Sequence, residues 1–156
     1  MRDLSELKIT QHGRESQRPA PTDEQVQRFT RTFGVELPDD HLALLRHANG
    51  GHPELDSFVP EGAEPNDTWS VDHFYHLSDD EGSESLWQAA RDWQPFLGDR
   101  CIPIGEDGGG NQIFMETSTA PPSVKLAVFE GAVSIKPVAP SLSDFLALLH
   151  VDPDFI

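Results

Sequence analysis

Seven histidines, one cysteine, a triple glycine and many carboxylates are the residues of this sequence that could do chemistry. A metal site needs imidazoles, thiolates or carboxylates converging at short spacing. His73 and His76 stand three apart in a stretch that reads as a strand, so they point to opposite faces and do not chelate one ion there. His41 falls on the apolar stripe of a helix and reads as a hydrogen-bonded core residue. His12, His47, His52 and His150 lie in different segments with no ligand spacing, and neither HExxH nor a paired CxxC occurs. Cys101 precedes Ile102-Pro103-Ile104 and reads as a buried structural thiol, since apolar surroundings disfavour the thiolate. A serine nucleophile would need a strained GxSxG turn, which is absent. The run Asp107-Gly108-Gly109-Gly110-Asn111 has no phosphate-loop lysine, leads into a strand, and follows Glu106, so it repels phosphate and reads as a tight turn. Paired carboxylates arise by chance in so acidic a chain. These residues predict no catalytic set, no metal and no cofactor.

Charge says more than any motif. Lys plus Arg number 11 and Asp plus Glu 27 in 156 residues, a formal net charge of -16. Affinity for phosphate backbones needs clustered Lys and Arg, and docking on anionic lipid needs the same, so neither nucleic acid nor membrane is an expected partner. Residues 1–46 are nearly balanced, whereas no Lys or Arg occurs between Arg46 and Arg91. That gap holds Glu54, Asp56, Glu61, Glu64, Asp67, Asp72, Asp79, Asp80, Glu81 and Glu84. Such a run is either a solvated face or a docking surface for a basic partner.

The elements that must position these residues can be read from period and punctuation. Residues 1–21 have weak periodicity and read as a loosely held arm. Thr22, with Gln25 completing a capping box, opens a helix that Gly34 ends. Leu37-Pro38-Asp39-Asp40 opens a second helix, stopped by Asn49-Gly50-Gly51. Residues 52–67 read as a long surface loop. Trp69, Val71, His73, Tyr75 and Leu77 then alternate with polar or second-face residues, which predicts one half-buried strand. Residues 78–94 return to helical spacing, with Asp79, Asp80 and Glu81 at the N-terminal end. Cys101-Ile102-Pro103-Ile104 is a short strand, placed at an edge by Pro103. Gln112–Glu116 is the next strand, and residues 124–129 and 133–138 flank Glu130-Gly131 as a hairpin. Ser141 and Asp144 cap a last helix whose buried side is Leu142, Phe145, Leu148 and Leu149. The expectation is one α+β domain over residues 22–150, a mostly antiparallel sheet packed against helices, with a tail at 151–156. The single cysteine excludes an internal disulfide, and residues 1–8 show no apolar signal core, so the cytoplasm is the expected compartment.

Three blocks in order carry a family resemblance. Leu37-Pro38-Asp39-Asp40 followed by Leu44-Leu45 and Asn49-Gly50-Gly51 is the first. Cys101-Ile102-Pro103-Ile104-Gly105 with Asp107-Gly108-Gly109-Gly110-Asn111 is the second, and the closing helix at 141–149 is the third. Together they resemble the Smi/Knr-like family of the SUKH superfamily over residues 22–149. His41 stands where that family usually has an aromatic residue. The resemblance implies an α+β domain that is not an enzyme. It implies an immunity protein, which neutralises a cognate secreted toxin by binding its toxic domain, or a regulatory or scaffold module with an endogenous partner. On the first reading the toxin domain is basic, such as a nuclease. The expected contact residues are then Glu54, Asp56, Glu61, Glu64, Asp67, Asp79, Asp80, Glu81 and Glu84, with the last four the densest cluster. The sequence leaves the toxin's identity and the oligomeric state open.

Overall fold

The structure is a computed structural model that describes residues 1–11, 17–80 and 82–152. Helix α1, Asp23–Phe33, begins where Thr22 accepts from the Gln25 backbone and the Gln25 side chain reaches back, a complete capping box. Gly34 ends it at φ 71°, in the left-handed region. Helix α2, Asp39–His47, starts after extended Pro38, with Asp39 and Asp40 at the positive end of the helix. A two-stranded piece follows, β1 at Ser57–Phe58 and β2 at Trp69–Ser70. Then come β3 at His73–Phe74, α3 at Leu86–Leu97, β4 at Cys101–Glu106 and β5 at Gln112–Glu116. The chain closes with β6 at Ser123–Glu130, β7 at Ala132–Ala139 and α4 at Leu142–Leu148. Strands β3 to β7 form one antiparallel sheet in sequential order, so the molecule is a single α+β domain.

Strand alternation builds the core. Ile113 pairs with Leu126 and Met115 with Val124 and Ile102, and all five side chains are buried on one face. Phe29, Leu44, Leu45, Leu86, Phe145 and Leu146 from the four helices join the same cluster. Phe58 of β1 meets Phe145 of α4 edge to face at 5.1 Å. Burying each such side chain contributes about 1.5–3 kcal/mol relative to leaving it exposed.

Several expectations change in three dimensions. Part of the N-terminal segment, within residues 1–11, is held against the domain. Leu7 and Ile9 are buried in the core, and Arg2 donates to the Leu146 and Leu149 carbonyls at 2.9 Å each. His12 lies outside the described residues. The alternating stretch from Trp69 to Leu77 is not one strand. Its first half pairs with β1 and its second with β4, and Phe74 and His76, expected on the polar side, are buried. The helix expected from residue 78 starts only at Leu86, and it passes through Pro95 in its last turn. Strand β4 is not an edge strand by order, but β3 covers only Gly105 and Glu106, and Pro103 sits at a register shift against β5. In α4, Leu146 is buried while Leu148 is exposed.

Candidate partner-binding surface

The Asn49-Gly50-Gly51 stop is the hub of one face. The Asn49 amide donates to the Pro19 and Leu77 carbonyls at 2.8 Å, and its oxygen accepts from the Leu77 N–H at 2.8 Å. Gly50, at φ 80°, lets the chain pass so close to His76 that a Cβ would meet the His76 Cβ at 2.8 Å. Gly51 and Phe74 exchange backbone hydrogen bonds, which lays His52 beside β3. Gln11 donates to the Asn49 and Gly50 carbonyls, and Arg18 reaches Asp80 at 2.9 Å. A cavity of about 70 Å³ lies among Gln11, Arg18, Gly50, His52, His76 and Glu84.

Sequence spacing separated His52 from His73, yet their rings stand 6.0 Å apart, edge to face. His73 Nδ1 lies 2.8 Å from an Asp72 oxygen, and its buried Nε2 lies 3.8 Å from Glu106 with no hydrogen-bond partner among the described residues. His52 lies 3.3 Å from Glu84 through Nε2, and its Nδ1 meets the Asp72 carbonyl at 2.8 Å. Tyr75 donates to Gln112, and burial, with Glu106 beside it, raises the phenol well above its ordinary range and keeps it neutral. His76 Nδ1 is 2.9 Å from Ser78 Oγ, and its backbone N–H donates to the Glu84 carbonyl at 2.9 Å. The missed members, His52, Asp72, His73 and Glu106, are brought together by backbone pairings such as 51–74 and 73–106.

The other chemical candidates are accounted for by packing. Burial raises the Cys101 thiol and so keeps it protonated. His41 is in the core as expected, but its Nδ1 has no hydrogen-bond partner among the described residues; burial lowers its pKa to about 4 against a smaller opposing effect of Asp40. The glycine run is a turn: Asp107 Oδ1 accepts from the Gly109 and Asn111 N–H groups, and Asn111 donates back to Asp107 Oδ2. Among the described residues no three His, Cys, Asp or Glu side chains gather in a way that could hold a metal ion.

The acids of residues 54–84 fall into distinct settings. Glu54, Glu61 and Glu64 are exposed and have no cationic partner among the described residues. Asp56 is half-buried and accepts from Ser57; it shares a cleft with Glu54 and Asp152. Asp67 accepts from the Trp69 indole and lies 3.9 Å from Lys136. Asp79 and Asp80 are exposed but face Arg28 at 3.5 Å and Arg18 at 2.9 Å. Glu84 sits between His52 and His73. Glu81 lies outside the described residues. The densest acidic cluster of the sequence is therefore partly neutralised by arginines from the N-terminal segment, and the loop around Glu61 holds the acids least compensated.

No helix among the described residues is long and apolar enough to cross a membrane. No curated protein matches the chain. The fold, with its Asn-Gly-Gly hub and glycine turn, agrees with a family match that runs from residue 20 to residue 148, and on that match the chain belongs to the SMI1 / KNR4 family (SUKH-1).

Proposed function

We propose that this chain is an immunity protein that binds a cognate secreted toxin and blocks it by occlusion, drawn to it by charge. Domains of this family are protein-binding domains of immunity type and are generally non-enzymatic. The observation that carries the finer reading is the set of exposed acids Glu54, Glu61 and Glu64, uncompensated among the described residues, in a chain of net charge -16. A toxic domain that handles nucleic acid carries a basic cleft, and opposite potentials raise association rates by orders of magnitude at low salt. Asp56, Asp67, Asp79, Asp80, Glu81 and Glu84 complete the proposed contact region, Asp79 and Asp80 with less free charge because Arg28 and Arg18 face them. A stable complex would bury about 800 Å² on each partner.

The test is capture by the full-length chain of the toxic C-terminal domain encoded beside its gene, at about 50 and 500 mM NaCl. The expected result is a one-to-one complex that abolishes the toxic activity and associates at least tenfold more slowly at high salt. Failure of every neighbouring gene product to bind would overturn the immunity reading in favour of a regulatory or scaffold module. Binding without salt dependence would remove the acidic residues from it.

A further inference from the structure

Strand β7 ends the five-stranded sheet, so among the described residues one of its edges has no strand partner. Residues 132–135 are exposed, and the strand carries two exposed apolar side chains, Val133 at 50% and Ile135 at 45%. An edge of this length with free main-chain groups and apolar side chains is a template for another strand. Its far end is closed by Pro137 and by the Glu61 N–H, which donates to the Val138 carbonyl. An apolar band adjoins it: Val133 pairs with Phe129, whose ring lies 4.8 Å from Trp93, and Trp93 lies 6.2 Å from Phe96, itself 74% exposed.

Charge identifies the occupant. Residues 131–143 contain no acid and one lysine, Lys136, in a chain of net charge -16. A basic partner is drawn to the acids elsewhere, whereas an acidic partner can approach only where acids are missing. The acidic partner always present is a second copy. The strand is also self-complementary. Antiparallel pairing about Ser134 sets Val133 opposite Ile135 of the other copy twice over. An interface of this kind is isologous and closes on itself.

We propose that two copies of this chain pair antiparallel along β7 about a two-fold axis at Ser134, joining their sheets into one. The dimer stands independently of the immunity reading, and the two respond to salt in opposite directions. Two copies of charge -16 repel, so screening strengthens self-association, while it weakens the capture of a basic partner.

The experiment is sedimentation equilibrium of the full chain at about 5–200 μM, in about 50 and 500 mM NaCl. The expected result is a dimer whose dissociation constant falls at least threefold at the higher salt. Ile135→Glu and Val133→Lys should each raise that constant at least tenfold. The double variant V133K/I135E should recover it to within about threefold, because the ammonium introduced in one copy then faces the carboxylate introduced in the other across the axis. Both positions are exposed, so the variants should melt with the wild type, checked by circular dichroism. A wild-type monomer throughout the range overturns the proposal. So does a dimer indifferent to the single substitutions, or a double variant no better than either single one.

Discussion

At the scale of single residues, His41 and Asn49 show two fates of buried polarity. His41 is almost fully buried on α2, its Nδ1 unpartnered among the described residues, and burial lowers its pKa from 6.5 to about 4. Above pH 6.5 the imidazole is neutral in both folded and unfolded chains. As the pH falls below that, the unfolded chain takes up a proton that the folded one refuses, until about pH 4. Stability should therefore decline over this window by on the order of 3 kcal/mol on account of this residue alone. His41→Leu, close in volume, should flatten that part of the pH profile of the urea midpoint; an unchanged slope would assign acid sensitivity elsewhere. Asn49 is the opposite case, fully satisfied by Pro19 and Leu77. Asn49→Ala orphans both backbone groups of Leu77 and should cost about 2–4 kcal/mol, a fall in Tm of roughly 6–12 °C. The sequence marked Asn49 only as a helix stop, because the carbonyls it meets are 28 and 30 residues distant. The meeting of His52 with His73 was hidden for the same reason: side-chain spacing along the chain says nothing about pairs brought together by strand contacts.

At the scale of elements, local grammar was legible and long-range pairing was not. The capping box of Thr22 and Gln25, the Ser141 cap, the hairpin at Gly131 and the Asp107 turn each depend on residues a few positions apart, and each forms as its sequence reads. The stretch from Trp69 to Leu77 fails as one strand because its two halves find different partners, Ser57–Phe58 and β4. Helix α3 starts at Leu86 rather than at residue 78, and Asp79 and Asp80, acids of the kind that favour a helix N-terminus, face Arg28 and Arg18 instead. Two glycines after helices make the distinction testable. Gly34 and Gly50 have similar positive φ, 71° and 80°, but nothing surrounds a Cβ at Gly34, while at Gly50 it would meet the His76 Cβ at 2.8 Å and the His76 N at 3.0 Å. Gly34→Ala should then cost only backbone strain, about 1 kcal/mol. Gly50→Ala adds displacement of β3's continuation and should exceed about 3 kcal/mol. Equal costs in urea unfolding would mean that the close approach to His76 relaxes freely.

At the scale of the whole molecule, the balance is between like-charge repulsion and its use. A chain of -16 destabilises its own compact state, and the fold relieves part of this by turning Arg18, Arg28 and Lys136 onto Asp80, Asp79 and Asp67. Exposed pairs of this kind each contribute at most about 1 kcal/mol. Glu54, Glu61 and Glu64 receive no such relief among the described residues. If they were only a solvating surface, neutralising them would improve stability at no loss. If they steer a basic partner, the same change must trade stability against association. The triple variant E54Q/E61Q/E64Q should melt about 2–4 °C above the wild type at low salt, a gain of up to about 1 kcal/mol. That gain should vanish near 0.5 M NaCl, where the Debye length is only a few ångströms. The same variant should associate several-fold more slowly with the captured toxic domain at low salt and no differently at high salt. A variant that gains stability and keeps its association rate would show that these acids solvate the protein and that recognition is written elsewhere on its surface.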